Sequence, residues 1–214
     1  MRTLFLTTPN LILGALLAAV TVAGFAFVPE SASLPIHWGL SGEADAFAPR
    51  AVALALPVLM ILAVGAILAL AVRFGAGWRV GSGLHVLRAT FTALLVVALG
   101  IAGATVLIGM GRPVDMVQVI SVCVAVLLVL LGNVLPKSQP NGFAGLRIPS
   151  TLSDAANWQA THRLVGVLMM IGGLVLGLAA LMGAAPTLLF AVLLAAILLP
   201  IAAGTAFSMR FARR

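Results

Sequence analysis

Charged residues are scarce in this chain. They make up 8% of its 214 residues, whereas 63% of the residues are hydrophobic. A soluble domain carries about 25% charged residues, which cover its surface. The composition therefore predicts a polytopic membrane protein rather than a soluble enzyme or binding domain. No loop is long enough to bury a separate core.

The chain also lacks the residues of common metal and catalytic motifs. Its single cysteine, Cys123, lies within an apolar run, so an intramolecular disulfide and a cysteine metal cluster are both excluded. HExxH, GxSxG and Walker sequences are absent. No apolar run has a carboxylate near its middle, where proton-coupled transporters place one. We therefore predict no cofactor and no catalytic residue.

Six apolar runs are each long enough to cross the hydrocarbon core of a bilayer, which needs about 20 residues. A cleaved signal peptide is the alternative for the first run, because Arg2 precedes it and Ser31 to Ser33 could form a cleavage site. Pro200 should kink the last helix or end its regular part early. The runs predict an all-α polytopic membrane helix bundle, with helices over residues 9–28, 51–72, 88–110, 116–135, 163–183 and 187–208.

The positive charges predict the topology. The net charge is +7, and cytoplasmic loops of membrane proteins carry an excess of Lys and Arg. With both termini in the cytoplasm, only Arg50 and Arg112 fall outside. We therefore predict an N-in/C-in topology, in which the positive residues meet lipid headgroups and not nucleic acid. The cytoplasmic residues are Arg2, Arg73, Arg79, Arg88, Lys137, Arg147, Arg163, Arg210, Arg213 and Arg214.

A polar loop at residues 29–50 follows the first predicted helix and is extracytoplasmic in this topology. It contains His37, Trp38, Glu43 and Asp45. His37, Glu43 and Asp45 are candidates for a ligand or metal site. They are weak candidates for a metal, because stable metal sites have three or four ligands at fixed spacing and this loop has one histidine without a second strong ligand at such a spacing. The alternative is a folded-back loop that pins two helix ends, with Trp38 at the water–lipid interface.

The longest polar interval is residues 132–162, which includes the predicted cytoplasmic loop 136–162. Its prolines and glycines should prevent long regular structure before residue 150. Ser153 is a candidate N-cap of a following helix, with Asp154 in the first turn. Trp158 and His162 are four residues apart and should share one helix face.

Two functions remain open for this interval. One is a recognition surface or small polar pocket built from Asn141, Arg147, Trp158 and His162, in which Arg147 could pair with Asp154. The other is a connector whose polar groups satisfy its own backbone, as a membrane environment requires.

Two sequence motifs resemble a known family. Residues 132–163 read GN-x-LPK-x-x-PN-x-x-GLR-x-P-x-TL…NWQATHR, and residues 34–47 read LPIHWGLSGEADAF. The first resembles the SdpI-like family of bacterial integral membrane proteins. The second resembles the short domain of unknown function that often precedes it. Ser150, Leu146 and Ile148 depart from the family pattern, which often has Trp, Ile and Thr there. The positions that fit are Asn141, Gly145, Arg147, Pro149, Thr151, Leu152, Trp158, Thr161, His162 and Arg163, with Pro35, His37, Trp38, Gly42 and Asp45 in the second motif.

The resemblance implies an immunity and signalling role in the bacterial cytoplasmic membrane. Its partners would be a secreted toxic peptide outside, a transcriptional repressor inside, and membrane lipids. The chain divides into an N-terminal membrane region (1–110) and an SdpI-like membrane region (111–214). A membrane enzyme using His162 or His37, and a small transporter, are the alternatives. The candidate binding residues are Asn141, Arg147, Thr151, Trp158, His162 and Arg163 inside, and His37, Trp38 and Asp45 outside.

Overall fold

A computed structural model of the chain describes residues 5–75 and 80–213. Arg2, Arg79 and Arg214, which entered the topology count, lie outside these ranges. A short 3-10 turn, Leu135–Lys137, follows the fourth helix. The α-helices in chain order are α1 (Thr8–Phe27), α2 (Arg50–Phe74), α3 (Val80–Gly109), α4 (Met116–Val134), α5 (Pro149–Ser153), α6 (Ala155–Leu181) and α7 (Pro186–Phe211).

Six of these helices, all except α5, are long and apolar enough to cross a membrane. At 1.5 Å per residue, the 20 residues of α1 extend about 30 Å, which is the thickness of the hydrocarbon core. Large apolar side chains such as Leu62, Leu174 and Leu199 stay exposed on these helices, as lipid permits and water disfavours. The predicted all-α polytopic bundle with six spans is confirmed.

Two helix boundaries differ from the prediction. The helix α3 begins about two turns before the predicted start at residue 88, whereas the helix predicted to follow Ser153 and lead into the fifth span is observed as α6. The helix α7 continues past Pro200 to Phe211, so the expectation that Pro200 ends the regular part early is wrong. Pro200 is fully buried, and membrane helices tolerate proline where neighbouring helices cover the interrupted backbone.

The loop at residues 29–50 forms an antiparallel β-hairpin, which the all-helical prediction did not include. Strand β1 (Ser33–Trp38) pairs with β2 (Ala44–Pro49), and the pairing is irregular around His37. Gly42 closes the turn with a φ angle of 86°, a conformation that glycine adopts without steric cost. This fold agrees with the alternative that the loop folds back and pins helix ends.

The hairpin defines one end of the bundle, here called the hairpin end. Leu34 and Ala48 of the hairpin pack with Val28, Leu54 and Val106, which lie at the adjacent ends of α1, α2 and α3. Arg50 donates hydrogen bonds to the carbonyls of Val28 (2.8 Å) and Phe25 (3.2 Å), which are otherwise unpaired at the C-terminus of α1. Gly42 lies against Pro186 at the start of α7.

The opposite end is here called the loop end, because residues 138–154 lie there. The hydroxyl of Ser82, near the start of α3, donates to the carbonyl of Pro140 at 3.3 Å. The hydroxyls of Ser150 and Ser208, the latter near the end of α7, lie 2.7 Å apart. The two polar loops therefore occupy opposite ends of the bundle, as the sequence predicted.

The helices α4 and α6 are in backbone contact near the loop end. A Cβ atom added to Gly132 would lie 2.5 Å from the carbonyl oxygen of Gly166, closer than non-bonded atoms approach. Only glycine at these two positions permits this spacing. The contact holds the start of α6 against the end of α4, and so fixes the two ends of the intervening loop. The division predicted at residues 110–111 falls between α3 and α4 and stays a prediction.

Candidate functional site

Buried polar side chains form the centre of the loop end. They are here called the loop core, and each is at most 3% exposed. Burying so many polar groups is costly unless every one of them is hydrogen-bonded. The members are Ser138, Asn141, Thr151, Asn157, Trp158, Thr161, His162 and Ser208.

Asn141 organises the turn that follows the 3-10 helix. Its side-chain oxygen accepts from the backbone N–H groups of Phe143 and Ala144, both at 2.9 Å. Its amide nitrogen donates to the carbonyls of Gln139 (2.8 Å) and Ala144 (3.2 Å). Both donors and both acceptor positions of the amide are thus used within the loop. Asn141 therefore shapes the loop, and its predicted role in binding stays a prediction.

Trp158 and Gln159 join the start of α6 to Ser138. The indole N–H of Trp158 donates to the carbonyl and the hydroxyl of Ser138, both at 3.1 Å. The side-chain amide of Gln159 donates to the same carbonyl at 2.7 Å. Trp158 is fully buried. The tryptophan therefore anchors the loop to the helix, as the alternative of a self-satisfied connector expects, and its role in recognition stays a prediction.

His162 has both ring nitrogens occupied. Its ring stacks on that of Trp158 with centroids 4.0 Å apart, which confirms that the two share a helix face. The backbone N–H of Leu146 donates to Nε2 at 2.9 Å, and Nδ1 lies 2.7 Å from the carbonyl oxygen of Trp158. A carbonyl only accepts, so Nδ1 carries the proton and Nε2 is the acceptor. His162 is therefore a neutral structural group without a free nitrogen.

Gly145 lies directly against this histidine. Its φ angle is 109°, where a side chain is strained, and a Cβ atom there would overlap Nε2 of His162. Thr151 secures the adjacent chain, because its hydroxyl donates to the carbonyls of Leu146 (2.7 Å) and Ile148 (3.0 Å). The motif glycine and threonine thus hold the loop around His162.

Asn157 connects the loop core to α7. Its side-chain nitrogen donates to the carbonyls of Ser150 and Ser208, both at 3.0 Å, and its oxygen accepts from the hydroxyl of Thr161 at 2.9 Å. The prediction did not include Ser138, Asn157 or Ser208. Asn157 and Thr161 share a helix face by their spacing of four. No sequence signal links Asn157 to Ser208, 51 residues away.

Arg147 and Arg163 do not belong to the loop core, because both are exposed. The predicted pairing of Arg147 with Asp154 is wrong: no ion pair joins them in the described ranges. Asp154 is itself the N-cap of α6, accepting from the N–H of Ala156 at 2.9 Å, whereas Ser153 ends α5. Lys137 is exposed as well. The loop end thus presents three cations that lack an ionic partner within the described residues.

At the hairpin end, Nδ1 of His37 and Oδ1 of Asp45 lie 2.5 Å apart, and both side chains are more than half exposed. His37 lies on β1 and Asp45 on β2, so this pair joins the two strands of the hairpin. Glu43 does not complete a cluster with them. No group of three or more His, Cys, Asp or Glu side chains is placed to hold a metal ion anywhere in residues 5–75 and 80–213.

A cavity of about 600 Å³ lies beside the hairpin, here called the hairpin cavity. It is bounded by β1, α2, α3, α4 and α7, and apolar side chains make up most of its wall. Trp38 and His37 line its hairpin side. The sequence did not predict this cavity, because residues from five separate segments form its walls. The other lining residues include Leu56, Leu189, Phe190 and Leu193.

The fold defines a multi-pass helical membrane protein with a structured site at each end. The hairpin and its cavity form the site at one end, and the loop core forms the site at the other. Sequence comparison gives two matches. The profile of the SdpI/YfhL protein family matches residues 137–204, which contain most of the loop core. The profile of the domain of unknown function DUF1648 matches residues 12–61, which contain the hairpin. The two matches confirm the predicted resemblance to the SdpI-like family and to the N-terminal domain that often precedes it. No curated protein and no solved structure matches the chain.

Proposed function

We propose that the protein is a non-enzymatic immunity or signalling protein of the bacterial cytoplasmic membrane. The hairpin end would face outward and the loop end the cytoplasm. The match of residues 137–204 to the SdpI/YfhL family supports this function. The charge distribution supports the orientation, because Lys and Arg dominate at the loop end and acidic residues at the hairpin end.

The hairpin cavity is the proposed binding site for a secreted peptide. Its wall is largely apolar, so burial of apolar side chains would drive binding. Glu43 and Asp115 are exposed at the same end and have no ion pair among the described residues, and they would attract a cationic peptide. An apolar peptide with positive charge therefore fits both the cavity and its surroundings.

The loop end is the proposed contact surface for a cytoplasmic repressor. The observation that carries the proposal is that buried polar residues and exposed cations have different roles at this end. The polar groups of the loop core hydrogen-bond to one another and to the backbone, while Lys137, Arg147 and Arg163 are exposed and unpaired among the described residues. Such a rigid support with outward cations suits recognition of an acidic protein face.

The loop core does not favour an enzyme. A general base or metal ligand needs a free nitrogen within reach of the substrate, and both nitrogens of His162 are engaged. The alternative of an enzyme that uses His162 therefore has no support in this geometry. His37 borders the hairpin cavity and pairs with Asp45, but no serine or cysteine nucleophile contacts it among the described hydrogen bonds.

The proposal is tested by filling the hairpin cavity. Cells that express the wild type, Leu56→Trp or Leu59→Trp are challenged with a synthetic cationic amphipathic killing peptide and with an uncharged apolar one. Leu56 lines the cavity, whereas Leu59 on the same helix is 57% exposed to the surroundings of the bundle. We expect the wild type and Leu59→Trp to survive higher peptide concentrations than cells without the protein, and Leu56→Trp to lose this protection.

Membrane levels of the three proteins are measured in parallel by immunoblotting. Wild-type cells that are as sensitive as cells without the protein to both peptides would refute an immunity function for peptides of this class. Equal protection by the two tryptophan variants would refute the cavity as the binding site.

A further inference from the structure

A second apolar cavity lies between α1, α2 and α3, on the side facing away from α6 and α7. Its volume is about 720 Å³, and it is here called the α1–α2 groove. Lining residues on α1 run from Asn10 to Val22, a distance of about 18 Å along the helix. Phe91 and Leu95 of α3 form its floor. A groove of this length and polarity matches an extended hydrocarbon chain.

Two buried nitrogen atoms lack a hydrogen-bond partner within the described residues, and both belong to α3. They are Nε2 of His85 and Nε of Arg88. Buried polar atoms are nearly always paired, because an unpaired one costs about 1–3 kcal/mol. Arg88 also has no ion pair among the described residues, so its positive charge is not neutralised by a carboxylate of this part of the chain.

Arg88 lies on the face of α3 that forms the floor of the groove. It is seven residues before Leu95 and three before Phe91, so the three residues share one helix face. Thr92, four residues beyond Arg88, donates its hydroxyl to Asn10 of α1 at 2.6 Å, which fixes this face against α1. Arg88 is therefore one turn from the loop-end mouth of the groove, and His85 one turn further.

We infer that the α1–α2 groove binds one acyl chain of an anionic phospholipid, whose phosphate pairs with the guanidinium group of Arg88. Guanidinium groups bind phosphate through two parallel hydrogen bonds, and basic pockets between membrane helices hold anionic headgroups in this way. The lipid would supply an anionic partner for Arg88 and cover the apolar groove at once. This inference is independent of the proposed immunity function.

Native mass spectrometry of the full chain in detergent tests the inference with two lipids that have the same acyl chains, phosphatidylglycerol and phosphatidylcholine. We expect the wild type to retain phosphatidylglycerol about tenfold better. Arg88→Gln should abolish this preference. Arg73→Gln, the same charge change at an exposed site of the same end, should leave it within about twofold.

A second pair of variants tests the groove without altering charge. Gly14 lines the groove, and a Cβ atom added there meets no atom within 4 Å; the same is true of Gly103, which lies outside the groove. Gly14→Leu should reduce phosphatidylglycerol retention about tenfold by occupying the space of the chain, and Gly103→Leu should not. Size-exclusion chromatography confirms that all variants remain dispersed.

Inorganic phosphate and glycerol phosphate serve as competitors that lack an acyl chain. We expect neither to displace the lipid at millimolar concentration. Displacement by either would show a simple anion site and overturn the lipid assignment. Equal retention of the two lipids, equal loss in Arg73→Gln and Arg88→Gln, or an unaffected Gly14→Leu would each overturn it as well.

Discussion

His162 illustrates how a residue with catalytic chemistry serves a structural purpose. Replacing His162 with Ala removes the acceptor of the Leu146 N–H and the ring that stacks on Trp158. The unpaired N–H costs about 1–3 kcal/mol and the cavity adds to it. We expect the free energy of unfolding to fall by about 3 kcal/mol or more, measured by circular dichroism in detergent. Arg163→Ala, the exposed neighbour, should change it by less than about 0.5 kcal/mol. Similar losses in the two variants would contradict this role.

A second prediction at the scale of a residue concerns Gly145. Alanine there would be strained at a φ angle of 109° and would collide with His162. We expect Gly145→Ala to lower the stability by about 1–3 kcal/mol or more, which thermal unfolding measures. Gly103→Ala is the control, because a Cβ atom there meets open space; it should be neutral or stabilising. An unfolding temperature equal to that of the wild type would show that the loop adapts to a side chain at residue 145.

The N-cap of α6 gives a prediction at the scale of an element. Asp154 accepts from the N–H of Ala156, and this bond determines where α6 begins. Asp154→Ala should destabilise the protein by about 1 kcal/mol, whereas Asp154→Ser keeps a capping oxygen and should recover most of the loss. Thermal unfolding of the pair measures the difference. If serine were no better than alanine, the cap would contribute little and contacts of α5 would fix the start of α6 instead.

Hydropathy predicted the six long helices correctly, because a bilayer accepts only segments that satisfy their own backbone. It did not predict the hairpin: β1 contains Pro35 and its pairing with β2 is irregular there, so no clean alternation marks the strands. In the loop core, helical spacing predicted that Trp158 and His162 share one helix face, and their rings do stack. The bonds from Asn157 to Ser208 and from Trp158 to Ser138 join residues far apart in the chain, and only the folded arrangement shows them. Arg147 shows the reverse, since its proximity to Asp154 in the sequence did not become a contact.

The orientation of the whole molecule stays a prediction and is open to a direct test. The only cysteine, Cys123, is buried, so Cys123→Ser provides a background for new labelling sites. Ser41→Cys places a thiol at the exposed hairpin end, and Ser153→Cys places one at the exposed loop end. In intact cells a membrane-impermeant maleimide should label only Ser41→Cys, because we propose that this end faces outward. Permeabilised cells provide the control, in which both variants should react. Labelling of Ser153→Cys alone in intact cells would reverse the topology.

The helix α7 touches both ends of the molecule. Its first residue, Pro186, lies against the hairpin, and Leu189, Phe190 and Leu193 line the hairpin cavity. Its other end holds Ser208 in the loop core. With 26 residues, α7 is a rod of about 39 Å. Pro200 removes one backbone hydrogen bond between these two contacts. One continuous helix therefore connects the hairpin cavity to the loop core, and the missing hydrogen bond at Pro200 lies between its two contacts.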